Sequence, residues 1–281
     1  MAKNTPFLRR EEMDLTIAIN ASTIKPAPLL DKIKIAADVG FQAIELWNDE
    51  LGEFERKGGS LDKVVQELER NGLKVASVIA LHGWIDSQGE EYKKALQEAK
   101  RRMEQAAAVG SPFIIASPPR GEVDDMDEAA RRYGELLEMG ERIGVKPAME
   151  FLGFVRGIYR IQHAWYIIQH AGRPDGTIVM DTFHIFRGGG DFKDIETIPA
   201  DKIAIFHFND APSSPEREKQ TDADRVFPGD GILPLKEVVR SLRRMGYSGI
   251  ISLELFNPEY WQMPPEEVAE IGMRKMREIL E

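Results

Sequence analysis

The sequence predicts an α/β protein built as a single (β/α)8 TIM barrel, with an active site at its C-terminal mouth. Three observations predict it. Strand-like and helix-like runs alternate through eight units. The strand-like runs are rich in Val, Ile, Ala and Phe, as parallel strands covered by helices tend to be. Glycine recurs between a helix and the next strand, at Gly40, Gly72, Gly110, Gly144 and Gly246, while longer polar loops follow the strands. That polarity suits a barrel whose functional loops gather at one end. An open doubly wound sheet would want a glycine-rich phosphate loop after its first strand. The residues there, ASTIKPAP, contain none.

The elements follow in order. LTIAIN (15–20) is the first strand, followed by a helix with Leu30, Ile33 and Ala37 on one face. FQAIEL (41–46) precedes a helix opened by Ser60 as N-cap, with Leu61, Val64, Val65 and Leu68 at helical spacing. KVASVIAL (74–81) precedes a long helix from about Glu90, and PFIIAS (112–117) precedes one from Met126 to Ile143. Four more strands lie in VKPAMEF, TIVMDTFH, KIAIFHFND and GIISLELF, separated by helices near 158–171, 191–198 and 234–245. A last helix spans 265–280, and residues 1–13 read as a tail ahead of one domain at 14–281, packed across the barrel bottom.

Composition narrows the function. The chain has 281 residues, a net charge of -10 and 42% hydrophobic residues. Acidity argues against binding a phosphate backbone, which needs dense Lys and Arg. No apolar run approaches the ~20 residues needed to cross a bilayer, so no membrane partner is expected. The charged start MAKNTPFLRREEM lacks the apolar core of a secretory signal. There is no cysteine, which excludes disulfides, thiolate zinc sites and cysteine nucleophiles and suits a cytoplasmic enzyme.

Four polar residues interrupt the last four strands at their C-terminal ends. Glu150 lies between Met149 and Phe151, Asp181 follows Ile-Val-Met, His207 lies between Phe206 and Phe208, and Glu254 between Leu253 and Leu255. A polar group in an apolar strand costs several kcal/mol unless paired or ligated. Purely structural roles would need four separate partners, and the nearby cation, Lys146, sits at the opposite strand end. Three carboxylates and one imidazole instead form a ligand set for one divalent ion: Mn²⁺ foremost, with Zn²⁺, Co²⁺ or Mg²⁺ as alternatives. Glu150 and Glu254, facing a bound hydroxy-ketone, are placed to take and return a proton. His184 and Arg225 stand beside this set as candidates for substrate contact, as do Trp47 and His82 at the ends of the second and third strands. Trp84 suits packing beneath a loop as well as it suits a mouth. His163 and His170 fall on a helix and read as structural or solvent-facing. The run RGGGD (187–191) lacks the Lys-Ser/Thr of a P-loop, so it reads as a lid or turn.

The stretches VMDTFHIFRGG, IFHFNDAP, RVFPGDGILPL and SLELFNPEYW resemble the xylose-isomerase-like TIM-barrel superfamily, and IELW is similar in the N-terminal half. The likeness runs to the inosose isomerases of inositol catabolism. It implies metal binding by Glu150, Asp181, His207 and Glu254, and substrate contacts from His184 and the Arg225 loop. The activity it implies is a divalent-metal-dependent isomerase of a keto-polyol, an inosose-type substrate, acting by proton transfer through a metal-bound enediolate. Alternatives are a ketose 3-epimerase, a hydroxypyruvate-type isomerase or a keto-sugar dehydratase of the same superfamily. A non-catalytic metal-binding barrel subunit is the alternative of another class. The partner is then a small polyol or keto-sugar, with homo-oligomerisation left open. Related ketose 3-epimerases carry their substrate arginine a few residues after the metal histidine. Here that position falls in PSSP, so Arg225 serves only if its loop folds back. Endonuclease IV shares the superfamily but uses several additional histidines. This chain has five histidines in all and lacks a D-x-H pair in the seventh strand-to-helix loop.

Overall fold

A computed structural model describes residues 14–281; the expected tail at 1–13 lies outside the described residues. The first half runs β1 (Thr16–Asn20), α1 (Leu29–Val39), β2 (Ala43–Trp47), α2 (Asn48–Arg56), α3 (Leu61–Arg70), β3 (Lys74–Leu81), α4 (Gly89–Ala108), β4 (Phe113–Ala116) and α5 (Met126–Ile143). The second runs β5 (Lys146–Met149), α6 (Ile161–His170), β6 (Thr177–Asp181), α7 (Thr182–Arg187), β7 (Ile203–Phe208), α8 (Leu235–Met245), β8 (Ile250–Leu253) and α9 (Pro265–Leu280). The strands close into one parallel barrel in sequence order, with β1 pairing β8. No helix among the described residues is long and apolar enough to cross a membrane.

Two apolar layers hold the barrel. Outside it, helices bury one stripe each: Ile33 of α1, Val64 and Leu68 of α3, Met103 of α4, Leu242 of α8 and Met276 of α9. Burying each such side chain contributes about 1.5–3 kcal/mol. Inside, residues two positions before the site side chains share their face, because strand side chains alternate. Ile115, Ala148, Val179 and Ile205 pack together there. The register then sets the next level: Asp181 pairs with His207, His207 with Ser252, and Asn20 with Glu45. The polar residues thus form a layer directly above an apolar plug.

The five expected glycines all take positive φ after their helices. Ser60 occupies the N-cap of α3 in extended geometry but makes no side-chain capping bond. The helix expected near 191–198 is a 3-10 helix, Phe192–Thr197. Helix α2 was not anticipated. Its charged sequence NDELGEFER buries Leu51 and Gly52 but carries no long apolar stripe, and it forms by packing against α4 and β2.

Candidate metal centre and active site

Asp181 is the last residue of β6, His207 lies near the end of β7, and Glu254 directly follows β8. Their ligand atoms lie within 4.8 Å of one another. The His207 Nδ1 stands 3.2 Å from Glu254 Oε2 and 3.6 Å from Asp181 Oδ2. Yet that nitrogen is buried without a hydrogen-bond partner. An orphaned ring nitrogen aimed at two carboxylates fits a divalent cation, and one nitrogen with carboxylate oxygens suits Mn²⁺, Zn²⁺ or Co²⁺.

Glu150, expected as the fourth ligand, stands apart from this triad. It directly follows β5, and its Oε2 accepts a hydrogen bond from Ser117 Oγ at 2.7 Å. It still lines the same cavity as Glu254. Burial first, then the nearby Glu254 charge, push Glu150 up to about 8. Burial also raises Glu254, against the pull of His207 and Arg225. For Asp181 burial is outweighed by Arg225 and His184, which hold it well below the usual carboxylate range. Burial opposes charge on His207 too, but Glu254 and Glu45 outweigh it and hold the imidazole well above the ordinary histidine range.

Metal uptake should therefore be proton-coupled. A carboxyl whose value is raised to about 8 holds its proton below that pH, and a metal must displace it, along with one from His207. Affinity is thus lost as pH falls. The apparent dissociation constant for Mn²⁺ should weaken by about tenfold or more from about pH 8 to about pH 6 in calorimetric titrations. An affinity that stays flat across this window would contradict the proton-linked site.

Arg225 arrives from the loop between β7 and α8, which does fold back. Asp210 clamps that loop. Its carboxylate accepts from the backbone N–H of Ala211, Gly229 and Leu233, and its own backbone bridges Val226. A Cβ on Gly231 would stand 2.3 Å from Asp210 Oδ1, so this close approach requires glycine. Arg225 is then fully buried, with Nη1 donating to Asp181 Oδ2 at 2.7 Å and to Glu254 Oε2 at 2.8 Å. It was expected to face substrate; here its bonds also run to the candidate ligands themselves. Its Nη2 lies 3.0 Å from His184 Nε2. His184 is set by Asp181, whose Oδ1 caps α7 by accepting from the His184 backbone N–H. Burial, aided by Arg225, lowers His184 to about 4, so it is neutral near pH 7 and its Nε2 accepts from Arg225.

A cavity of about 340 Å³ opens above these groups, within the usual range for small-molecule sites. Its polar groups include Glu150, Glu254, His184, Arg225, Arg120, Asp86 and Asp222, and Trp47, Phe154 and Phe256 supply its aromatic faces. Trp47 packs edge-on against Phe256 and donates its Nε1 to Asn20. His82 also lines the cavity. Trp84 does not: it is fully buried beneath its loop, with Nε1 donating to the Ser117 carbonyl. His163 and His170 lie on α6, each bonded to local backbone. RGGGD forms the end of α7 and the turn after it.

Two residues bonded to the candidate ligands escaped the sequence reading. Asn209 donates to Asp181 and caps the start of α7 through Phe183 N–H. Glu45, fully buried on β2, lies 3.1 Å from His207 Nε2. The rule that selects the other four, a polar residue between apolar strand neighbours, applies equally to Glu45 between Ile44 and Leu46.

Comparison with known proteins agrees with this geometry. The family model described as "Xylose isomerase-like TIM barrel" matches residues 33–279. The inosose isomerase of Halalkalibacterium halodurans is 32% identical over 254 residues, 88% of this chain and 89% of that protein. The 3-dehydroshikimate dehydratase of Pseudomonas putida is 24% identical over 88% of this chain, which spans only 39% of that longer protein. Among solved structures, the IOLI protein with a bound zinc atom superposes with a TM-score of 0.88 at 25% identity, covering 95% of this chain and 98% of that one. On fold, site and similarity together, the chain belongs to the xylose isomerase-like TIM-barrel family of enzymes.

Proposed function

We propose that this chain is a divalent-metal-dependent isomerase of a cyclic keto-polyol of the inosose type, working by proton transfer. The observation that carries the reading is the orphaned His207 Nδ1, facing Asp181 and Glu254 beneath a cavity that mixes carboxylates with aromatic walls. Similarity to inosose isomerases over 88% of the chain supports the substrate class. Asp181, His207 and Glu254 would hold the ion, with Glu150 joining them by turning from Ser117. When bound, the ion polarises a substrate carbonyl and acidifies the neighbouring C–H.

The protein's own groups divide the remaining work. Glu254 receives hydrogen bonds from Arg225 Nη1 and Asn20 Nδ2, which favour its ionised form, so it is the better base. Glu150 accepts a side-chain hydrogen bond only from Ser117 Oγ, so it holds negative charge less firmly than Glu254 and is the better carrier of the returning proton. Two carboxyls with environments that differ in this way suit opposite ends of one proton transfer. Arg225 and His184 hold the substrate oxygens, and the rings of Trp47 and Phe256 cover its C–H faces while excluding water.

His184→Ala and Arg225→Ala should keep the metal and lose kcat/KM by about tenfold or more, equal to about 1.4 kcal/mol or greater. Metal analysis alongside the kinetics checks this. A His184→Ala protein emptied of metal would make His184 a ligand instead.

The test of the whole reading is turnover on a panel of keto-inositols, ketoses and keto acids, with chelator-treated protein as control. Metal-dependent interconversion of keto-inositols is the expected result. Turnover of a keto acid alone would favour a dehydratase. One observation speaks for that second reading: Arg120 lines the cavity, where it could meet a substrate carboxylate. The absence of metal-dependent turnover on every member of the panel would overturn both. We place this chemistry in the cytoplasm, on a small-molecule substrate.

A further inference from the structure

Glu45 lies inside the barrel below the mouth, fully buried, and does not line the cavity. It therefore cannot touch substrate, yet a buried carboxylate costs several kcal/mol unless its oxygens are satisfied. Its surroundings satisfy them with donors. Ser77 Oγ donates to Oε2 at 2.6 Å, Ser252 Oγ donates to Oε1, and Asn20 Nδ2 approaches Oε1 at 3.4 Å. The remaining neighbour is His207 Nε2, 3.1 Å from Oε2.

We propose that Glu45 is a positioning residue that fixes the tautomer and ring orientation of His207 for metal binding. An ionised carboxylate only accepts hydrogen bonds, so the imidazole nitrogen facing it must carry the proton. The neutral ring is then protonated at Nε2, and its lone pair lies on Nδ1. That is the nitrogen directed at Asp181 and Glu254. In the other tautomer, Nε2 would turn a lone pair toward Glu45, and Nδ1–H would point where an ion must sit. Carboxylate acceptors behind ligating histidines also raise ligand basicity, and their loss commonly costs about 10–100-fold in metal affinity. Ser77 and Ser252 hold Glu45 from opposite sides, on β3 and β8, so the acceptor is built into the barrel wall. The inference rests on the metal-centre reading above.

The test uses Glu45→Gln, which keeps shape and removes the acceptor-only character. Zn²⁺ dissociation constants are measured by chelator competition, and ring tautomers by ¹⁵N–¹H NMR of histidine-labelled, Zn²⁺-loaded protein. The His207 signals are assigned by their loss in His207→Ala. In the wild type the Nε2–H proton should appear far downfield, with Nδ1 metal-bound. In Glu45→Gln that resonance should shift upfield, and Zn²⁺ affinity should fall by about tenfold or more. If Glu45→Gln does not fold, as judged by metal-free melting, Glu45→Asp should show smaller changes of the same kind. Affinity within about twofold of wild type would overturn the inference while leaving the metal centre intact. Weaker affinity with an unmoved Nε2–H signal would also overturn it, because the loss would then be structural. Wild-type protein that binds no Zn²⁺ would overturn the metal-centre reading, and the inference with it.

Discussion

Asp181→Asn and His207→Ala should each cost the protein its divalent ion and, with it, its turnover. Asp181 sits where three demands meet. Its Oδ1 accepts from His184 N–H and Asn209 Nδ2, and its Oδ2 accepts from Arg225 Nη1 while facing His207 Nδ1. Asparagine keeps the shape but removes the charge and turns one oxygen into a donor. His207→Ala removes the nitrogen ligand outright and leaves Glu45 without its cationic neighbour. Metal affinity should fall about tenfold or more in either variant, and kcat/KM by about a thousandfold or more, since the ion carries the carbonyl activation. Removing Asp181 also destabilises, by less than the ~3–5 kcal/mol of a fully broken buried ion pair, because Arg225 keeps Glu254 and Asp222 as partners. Melting of metal-free protein separates this loss from loss of the ion, because the metal-free wild type and variant then differ only in the side chain replaced and its bonds. Unchanged metal content by elemental analysis in both folded variants would remove Asp181 and His207 from the site.

How much of this was legible in the sequence depends on which interactions decide each feature. The barrel was legible because its signal is local: β3 falls at Lys74–Leu81, as its apolar run predicts. The residues Glu150, Asp181, His207 and Glu254 were legible because a polar group between buried strand neighbours needs a reason. Glu45 obeys the same rule, but its partners Ser77, Ser252 and His207 come from distant strands. Nothing near it in sequence shows what it pairs with. Helix α2 was not legible because its charged surface gives almost no 3.6-residue pattern. The inward turn of Arg225 depends on Asp210 clamping a loop from 15 or more residues away in the chain, seen in its bonds to Gly229 and Leu233. The rotation of Glu150 toward Ser117 is a choice of rotamer, and a sequence carries no direct record of it.

Glu150→Gln and Glu254→Gln should each abolish turnover, even where metal remains, and wild-type turnover in D₂O should mark the product. A ketone can move along a ring by two routes. In a hydride shift, the migrating hydrogen passes between carbons and never meets solvent. In proton transfer, a base removes the hydrogen from the hydroxyl-bearing carbon. An acid then delivers one to the former carbonyl carbon, while a hydroxyl proton crosses between the oxygens. In xylose isomerase the hydride route uses two metals and a lysine near the carbonyl. Among the described residues one three-residue metal-ligand group stands out, and no lysine lines the cavity. Four carboxyls line it, Asp86, Asp222, Glu150 and Glu254; of these, Glu254 is supported as a base by Arg225 and Asn20, and Glu150, bonded only to Ser117, is the better carrier of the returning proton. Each Gln variant removes one end of the transfer, so kcat should fall by about 10²–10⁴-fold or more. In D₂O the carbon that loses its ketone character should gain solvent deuterium, read by NMR of the product. Product without deuterium would favour the hydride route, unless the transferred proton is shielded throughout. Substrate deuterated at the migrating position resolves that case together with the variants. Full retention of label with Glu150→Gln and Glu254→Gln still active would end the proton-transfer mechanism. Retention with both variants inactive would mean that the same proton is passed on before it can exchange.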